Sequence, residues 1–168
     1  IEAFVHSGQK VFDMYQVEEF RSACRAPKYI GDVRGDGVRG KEVLQNLRFS
    51  EDKQGLLWVW AKPEVDDTEK VLNRYLVVVD IGGRSNKADY SVIVVIDRLN
   101  MIDGLYPTVV AQWYGHTDMD LLAWKAVQVA AYYDNALLVI EKNTLDTKDP
   151  ARLLDGDSST YILSLVKD

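Results

Sequence analysis

The chain has 168 residues, of which 47% are hydrophobic and 27% are charged, a composition typical of a globular protein with a packed core. This composition excludes a disordered chain and a collagen, and the single cysteine, Cys24, excludes an internal disulfide and a cysteine zinc cluster. No apolar run approaches the ~20 residues that span a bilayer, so we expect no membrane partner. Twenty basic and 26 acidic residues give a formal charge of −6, which argues against a protein that coats DNA in general. The acidic surplus indicates either a solvated surface or carboxylates that bind divalent cations.

The first part of the chain alternates short predicted elements with polar segments. The pattern predicts a helix over Val17–Arg25, a loop over the glycine-rich Gly31–Gly40, and a turn of helix or an irregular segment over Lys41–Phe49. The apolar run Leu56–Ala61 is typical of a strand, and the acidic stretch Pro63–Lys70 after it predicts an exposed connector.

Residues 71–168 have the pattern of an α/β domain, and we place a connecting segment over residues 1–70. Five elements are predicted in chain order: strands over Tyr75–Asp80, Tyr90–Asp97 and Thr108–Tyr114, a helix over Asp118–Tyr133, and a strand over Ala136–Glu141. The short links make the first three strands an antiparallel meander, and the helix allows the last strand to return parallel to the first. Because a further helix is predicted to begin at Ser158 or Ser159 and to run to the last residue, we expect a domain that is incomplete at its C-terminus. The absence of an initial Met and of a signal-peptide pattern likewise favours a fragment of a longer protein, and the single cysteine fits a reducing, cytoplasmic setting.

Asp80 and Glu141 each end a continuous apolar run, which is typical of a central strand covered on both faces. If these strands are parallel neighbours, both carboxylates emerge at the end of the sheet where ligand sites of open α/β sheets gather. Two nearby carboxylates repel each other unless a proton or a cation lies between them, and their oxygens suit Mg²⁺ or Mn²⁺. The sequence therefore predicts a metal site at Asp80 and Glu141. The alternative is that each acid only ends a strand or caps a turn.

Several residues near these two acids are candidates for supporting roles. Asp89 opens the second strand of the meander and is either an accessory metal ligand or a turn carboxylate. Gly82-Gly83 let the backbone turn sharply and approach a phosphate. Three basic residues are candidate contacts to a phosphate backbone, with solvated side chains as the alternative: Arg84, Lys87 and Lys142.

Two other patterns suggest binding chemistry. Gly35–Lys41 matches the start of a phosphate-binding P-loop, G-x-x-x-x-G-K, but Glu42 stands where the motif needs Ser or Thr, so we do not expect a P-loop. Trp58 and Trp60 alternate on one predicted strand and are expected to cover the sheet. The stacking of nucleic-acid bases on these indoles is the alternative.

Four segments of the chain together resemble the nuclease half of the large subunit of the tailed-phage terminase, the motor that packages DNA. They are, in order, Ile1–Asp13 (IEAFVHSGQKVFD), Gly55–Pro63 (GLLWVWAKP), Tyr75–Ile96 (YLVVVDIGGRSNKADYSVIVVI) and Leu137–Leu145 (LLVIEKNTL). The first is similar to the junction where the ATPase domain of the family ends, and the second to the strand before the nuclease. The third resembles the first catalytic hairpin, and the fourth resembles the strand that carries the second acid. The order and spacing of the segments carry the resemblance, which covers nearly the whole chain.

The resemblance implies a ribonuclease-H-like fold and a nuclease that uses three acids to bind two ions of Mg²⁺ or Mn²⁺. Asp80 would be the first acid, bridging the two ions, and Glu141 the second. One metal-bound water would attack the phosphodiester, and the other ion would stabilise the departing 3′-oxygen. The third acid has no match here, because Asp155, Asp157 and Asp168 come before the expected last strand and helix.

The resemblance further implies an endonuclease that cuts double-stranded phage DNA during genome packaging, in the cytoplasm of the bacterial host. Its partners would be DNA, an upstream ATPase domain, the portal protein and the terminase small subunit. Because the chain is acidic, we expect weak and strongly salt-dependent binding of DNA.

Three alternatives remain open from the sequence. The segment Asp80–Gly83 (DIGG), followed by a hairpin, is also similar to the first phosphate loop of sugar kinases and actin-like proteins, although no second glycine-rich phosphate motif follows Glu141. The second alternative is another nuclease, or a transposase, of the same fold. The third is a non-catalytic interaction module in which both acids are structural.

Overall fold

The computed structural model of the protein describes residues 12–38, 40–64, 71–82 and 89–141. These residues form an α/β fold with two α-helices and a seven-stranded mixed sheet. The elements are the helices α1 (Met14–Ala23) and α2 (Met119–Tyr132) and the strands β1 (Tyr29–Arg34), β2 (Arg48–Glu51), β3 (Leu57–Val59), β4 (Tyr75–Asp80), β5 (Ser91–Asp97), β6 (Thr108–Gly115) and β7 (Leu137–Ile140). Two 3₁₀ helices cover Gly40–Leu44 and Leu99–Asp103.

The strands are ordered β2-β1-β3-β6-β5-β4-β7 across the sheet. β4, β5 and β6 form an antiparallel meander, α2 follows, and β7 returns parallel to β4. The predicted order of elements between residues 75 and 141 is therefore confirmed. The reason is that, among the links that join β4, β5, β6 and β7, only the one containing α2 is long enough for a parallel crossover. In this arrangement β1, β4, β6 and β7 run in one direction, and we call the end at which they finish the carboxyl end of the sheet.

The core lies between α2 and one face of the sheet, which we call the helix face. Val77 and Val79 of β4 are fully buried there, as are Ile93 and Val95 of β5, because successive side chains of a strand point to opposite faces. The alternate residues of both strands lie on the opposite face, which we call the second face, and are less deeply buried. α2 contributes Leu122 and other buried side chains of one apolar face to the same core, as its spacing predicts.

The residues upstream of the predicted domain boundary add three strands to the same sheet. β1 pairs antiparallel with both β2 and β3, and β3 pairs with β6. The predicted loop over Gly31–Gly40 is wrong for residues 31–34, which lie in β1. Gly31 looks like a loop residue in the sequence, but here it lets two strands approach, since a Cβ would collide with the carbonyl oxygen of Ser50. The two sides of the predicted boundary thus share one sheet, although the sequence anticipated only the strand that became β3.

Two polar side chains of α2, Lys125 and Gln128, form hydrogen bonds with these upstream residues. Lys125 Nζ donates hydrogen bonds to Asp32 Oδ1 over 2.7 Å and to the carbonyl oxygen of Val33 over 2.8 Å. The buried Gln128 donates from Nε2 to the carbonyl oxygen of Val43 over 3.2 Å. Satisfied polar groups of this kind fix how the helix lies on the sheet, because any displacement would leave them without partners in a poorly hydrated place.

The helix near the N-terminus of the chain lies apart from this core. α1 starts after Asp13, whose carboxylate accepts a hydrogen bond from the backbone amide of Tyr15 over 2.9 Å, as expected of an N-cap. The predicted helix over Val17–Arg25 is confirmed with different bounds, since it starts at Met14 and ends at Ala23, and none of its residues is buried. Neither helix of the described residues is long and apolar enough to cross a membrane. The helix predicted to begin at Ser158 or Ser159 lies outside the described residues.

Candidate active site

Asp80 is the last residue of β4, and Glu141 directly follows β7. β4 and β7 are parallel neighbours with Val79 opposite Ile140, and the Glu141 amide donates a hydrogen bond to the carbonyl oxygen of Val79 over 2.9 Å. The next residue of each segment is an acid, so Asp80 lies opposite Glu141. The backbones of neighbouring strands are about 4.8 Å apart. The condition on which the sequence argument depended, parallel neighbouring strands, is met.

The two acids also share one face of the sheet. Val79 and Ile140 both pack against the core, so the next residue of each chain segment points to the second face. The burial pattern agrees, since Asp80 and Glu141 are both exposed. Two negatively charged side chains thus emerge together, at the carboxyl end of the sheet and away from α2.

The carboxyl end is acidic beyond this pair. α2 begins at this end because it follows β6, and its first turn adds further carboxylates. The other acids of the described residues at this end are Asp36 after β1, Asp89 before β5, and Asp118 and Asp120 at the start of α2. Like charges at short range disfavour one another, so the adjacent pair of Asp80 and Glu141 suits a bound cation better than a bare phosphate.

The chemistry of the acid pair fits Mg²⁺ or Mn²⁺. Carboxylate oxygens are hard ligands, and Mg²⁺ is usually held by one or two carboxylates together with waters and substrate phosphates. Within the described ranges, no group of three or more His, Cys, Asp and Glu side chains has the geometry of a metal site. Asp80 and Glu141 are candidate ligands whose backbone positions lie on neighbouring strands.

Asp89 stands farther out at the same end. It precedes β5 by two residues and is three residues from Val92, the partner of Asp80 in the antiparallel register. Three residues of extended chain span about 10 Å, so the backbone does not bring Asp89 beside Asp80. Its predicted role as an accessory ligand stays a prediction.

Gly82 serves the packing of the hairpin. Its amide donates a hydrogen bond to Ser91 Oγ over 3.0 Å, and Ser91 is buried. A Cβ at position 82 would collide with the carbonyl oxygen of Asp89, so only glycine permits this close approach of the two strands. Because the Gly82 amide is engaged within the chain, the similarity of Asp80–Gly83 to a phosphate loop gains no support from this geometry.

The glycine-rich segment that begins at Gly35 does not form a phosphate cradle among its described residues. The amide of Asp36 donates to the carbonyl oxygen of Gln45 over 3.1 Å, and the amide of Gly37 donates to the carbonyl oxygen of Glu42 over 3.2 Å. A P-loop aims its amides at phosphate, whereas these amides close the segment on itself. The expectation that no P-loop exists here agrees with this geometry.

Some predicted residues lie outside the described residues. These are Gly83, the candidate DNA contacts Arg84, Lys87 and Lys142, and the late acids Asp155, Asp157 and Asp168. Of the segments that carry the family resemblance, most of the first, residues 83–88 of the third and the end of the fourth are outside as well.

The second face also carries aromatic rings that the sequence analysis did not bring together. Ring contacts link Trp58 to Tyr114 (centroids 5.3 Å apart), Tyr114 to Tyr90 (5.7 Å) and Tyr90 to His116 (4.1 Å, stacked). We call these four residues the aromatic row. The sequence analysis considered base stacking only for Trp58 with Trp60, and the register of β3, β6 and β5 is needed to find the other rings.

Comparisons with protein-family models, with curated proteins and with solved structures give no match to this chain.

Proposed function

We propose that this chain is the ribonuclease-H-like nuclease domain of a tailed-phage terminase large subunit, an endonuclease that cuts double-stranded phage DNA during genome packaging. The observation that carries the proposal is the placement of Asp80 and Glu141 at adjacent ends of two parallel strands, on one face of the sheet. Paired carboxylates in such a position are suited to divalent cations, and divalent cations promote phosphodiester hydrolysis.

The order of the elements also supports the proposal. An antiparallel meander of β4, β5 and β6, a helix, and a strand that returns beside β4 agree with what the sequence resemblance implies for residues 75–141. The quoted motifs lie at matching places in this order, since Asp80 ends the first strand of the meander and Glu141 follows the returning strand.

The contribution of the chain itself is to position two negative charges. β4 is hydrogen-bonded to β5 on one side and to β7 on the other, so the backbone that carries Asp80 is held from both sides, as a preorganised site requires. Asp80 and Glu141 would hold Mg²⁺ or Mn²⁺, with two ions implied by the family resemblance. When bound, the ions supply Lewis-acid stabilisation of the phosphate and a water of lowered pKa. Without a cation the two carboxylates repel the phosphate, so cutting should depend fully on added metal.

The proposal also covers the substrate and partners of the protein and its location in the cell. Double-stranded DNA is the proposed substrate, and an upstream ATPase domain, the portal protein and the terminase small subunit are the proposed partners in the cytoplasm of the bacterial host. Arg84, Lys87 and Lys142 stay predicted DNA contacts within it, and Asp89 stays a predicted accessory ligand.

The most direct test is to soak crystals of the protein in Mn²⁺ and to locate the ion by anomalous diffraction. We expect a peak at about 2.0–2.3 Å from carboxylate oxygens of both Asp80 and Glu141. The peak should be lost in Asp80→Asn and in Glu141→Gln crystals, which keep the shape of each side chain. Asp103→Asn is the matched control, because Asp103 is an exposed acid at the opposite end of the sheet. A wild-type crystal without a peak at the pair, or a peak that survives both substitutions, would contradict the proposal.

A further inference from the structure

The aromatic row lies on the same face and at the same end of the sheet as the acid pair. Leu57 and Trp113 are register partners that are buried on the helix face, so the following residues of their strands, Trp58 and Tyr114, point to the second face. Tyr114 is the register partner of Val92, and Val92 is the partner of Asp80. Two strand spacings, about 10 Å, therefore separate the backbone of Tyr114 from that of Asp80.

The outer part of the row is open to solvent. Tyr90 is 53% exposed, although its ring stacks on His116. The aromatic side chains on the helix face differ, because Tyr75 and Tyr133 contact each other and are both buried. A half-exposed tyrosine next to a candidate active site leaves apolar ring surface available to a ligand.

The charge at this end limits what that ligand can be. The exposed acids of the described residues beside the row are Asp80, Asp89 and Glu141, and an acidic surface of this kind offers a phosphate little except through cations. Bases are different, because every base has a flat uncharged face that stacks on tyrosine, histidine and tryptophan whatever its sequence. In a duplex these faces are covered by neighbouring bases, and only unpaired bases offer them to a protein.

We propose that the aromatic row is a stacking platform for unpaired bases of the strand that is cut at Asp80 and Glu141. This inference rests on the proposed nuclease function and adds to it the state of the substrate, which is locally unpaired DNA beside the cut. A separation of about 10 Å corresponds to about three stacked nucleotides, so the platform would hold bases within a few positions of the scissile phosphate.

The test measures the binding of a short fluorescein-labelled oligothymidylate by anisotropy, in EDTA so that no metal contributes. We expect Tyr90→Ala to weaken this binding about tenfold and Tyr90→Phe, which keeps the ring, to preserve it. Tyr106→Ala is the matched control, since Tyr106 is 90% exposed and lies in the link between β5 and β6 at the opposite end of the sheet. Tyr90 is exposed enough for its truncation to leave the fold intact, and circular dichroism checks this for each variant.

Two results would overturn the platform. One is equal affinity of the wild type, Tyr90→Ala and Tyr106→Ala for the oligonucleotide. The other is an equal loss of affinity for oligothymidylate and for a blunt duplex, which would indicate a contact that does not need unpaired bases. The nuclease proposal fails separately. If Tyr90 governs oligonucleotide binding while Mn²⁺ does not bind at Asp80 and Glu141, base stacking on the aromatic row stands, but its assignment to a strand cut at the acid pair fails with the nuclease site.

Discussion

Lys125 on α2 and Asp32 on β1 are joined by a hydrogen-bonded ion pair of 2.7 Å, with only 17% and 22% of the two side chains exposed. The pair connects the helix of residues 71–141 to the strands that precede the predicted domain boundary. Arg34 also approaches Asp32, but at 4.0 Å and with a mostly exposed side chain. Lys125 is therefore the closer of these two cations to a carboxylate that is largely removed from water and that also accepts a hydrogen bond from the Val33 amide over 2.8 Å.

Replacing Lys125 with Met should destabilise the protein by about 2 kcal/mol. The methionine fills similar space, but Asp32 and the carbonyl oxygen of Val33 lose their common donor. Urea denaturation measures the effect as a lower midpoint. Lys53→Met changes an exposed lysine in the turn before β3 and should leave the midpoint nearly unchanged. Equal midpoints for the two variants would show that the ion pair contributes nothing net.

Lowering the pH should reduce the stability of the protein, because Asp97 becomes protonated. Burial alone would raise the pKa of Asp97, but hydrogen bonds from Arg74 and from the Leu99 amide outweigh burial and lower the pKa below its ordinary value. A carboxyl whose pKa is lowered by folding adds stability above its unfolded pKa, and that stability is lost as the pH falls through the folded pKa. The melting temperature of the wild type should therefore fall below about pH 4.

The variant Asp97→Asn tests this assignment. It should be less stable than the wild type at neutral pH, and its melting temperature should change less between about pH 5 and pH 2. Asp103→Asn, which alters an exposed acid near the same end of the sheet, should keep the wild-type pH profile. If the melting temperature of Asp97→Asn falls with acid as much as that of the wild type, other carboxyl groups govern the stability at low pH.

Gly82→Ala should be costly because the added Cβ meets the backbone of the paired strand rather than a flexible side chain. We expect a loss of about 3 kcal/mol in the free energy of unfolding, with disruption of the bond from the Gly82 amide to Ser91 Oγ. Gly104→Ala is the control for backbone conformation without a steric clash, because Gly104 has a φ of +72° and open space around it. This variant should lose only about 1 kcal/mol in the free energy of unfolding. Similar losses in both variants, measured by urea denaturation, would contradict the steric argument.

Divalent metal should stabilise the folded protein if the acid pair binds it. A ligand that binds only the native state raises stability by RT ln(1 + [L]/Kd), which is about 2.7 kcal/mol at a hundredfold excess over Kd. Addition of Mn²⁺ should raise the melting temperature of the wild type, and EDTA should restore the metal-free value. Asp80→Asn and Glu141→Gln should each remove most of this shift, whereas Asp103→Asn should retain it. A shift of the same size in all four proteins would place the ion elsewhere.

Duplex DNA should bind weakly and only at low salt. The formal charge of −6 opposes association with a polyanion. Added salt weakens the contacts that basic residues make with DNA phosphates, because cations from the solution compete for the phosphates. Anisotropy with a labelled duplex at increasing salt measures the dependence. Any contribution from the aromatic row should persist at salt concentrations that abolish duplex binding, because stacking releases few ions. Tight duplex binding at high salt would contradict this expectation.

Local patterns in the sequence predicted the part of the fold that holds the candidate site. Continuous apolar runs predicted β4, β5, β6 and β7 with their ends correct to within a residue or two, and helical spacing predicted α2. Such runs are expected of strands covered on both faces, whereas among the described residues the alternate positions of β4 and β5 on the second face are only partly buried. Asp80 and Glu141 stood out as charges at the ends of segments that are otherwise apolar.

The tertiary structure decided what depends on pairing between distant segments. β1 contains Gly31 and Asp32 and has no strand-like run, and it is a strand because β2 and β3 supply hydrogen-bond partners on both sides. The register between β3, β6 and β5 assembled the aromatic row from positions 58, 90, 114 and 116. A one-residue shift of register would turn every side chain of a strand to the other face. The sequence by itself therefore determined the strands with apolar runs, β3 to β7, and the acids at the ends of β4 and β7, whereas only the paired sheet decided that β1 and β2 are strands and which side chains share a face.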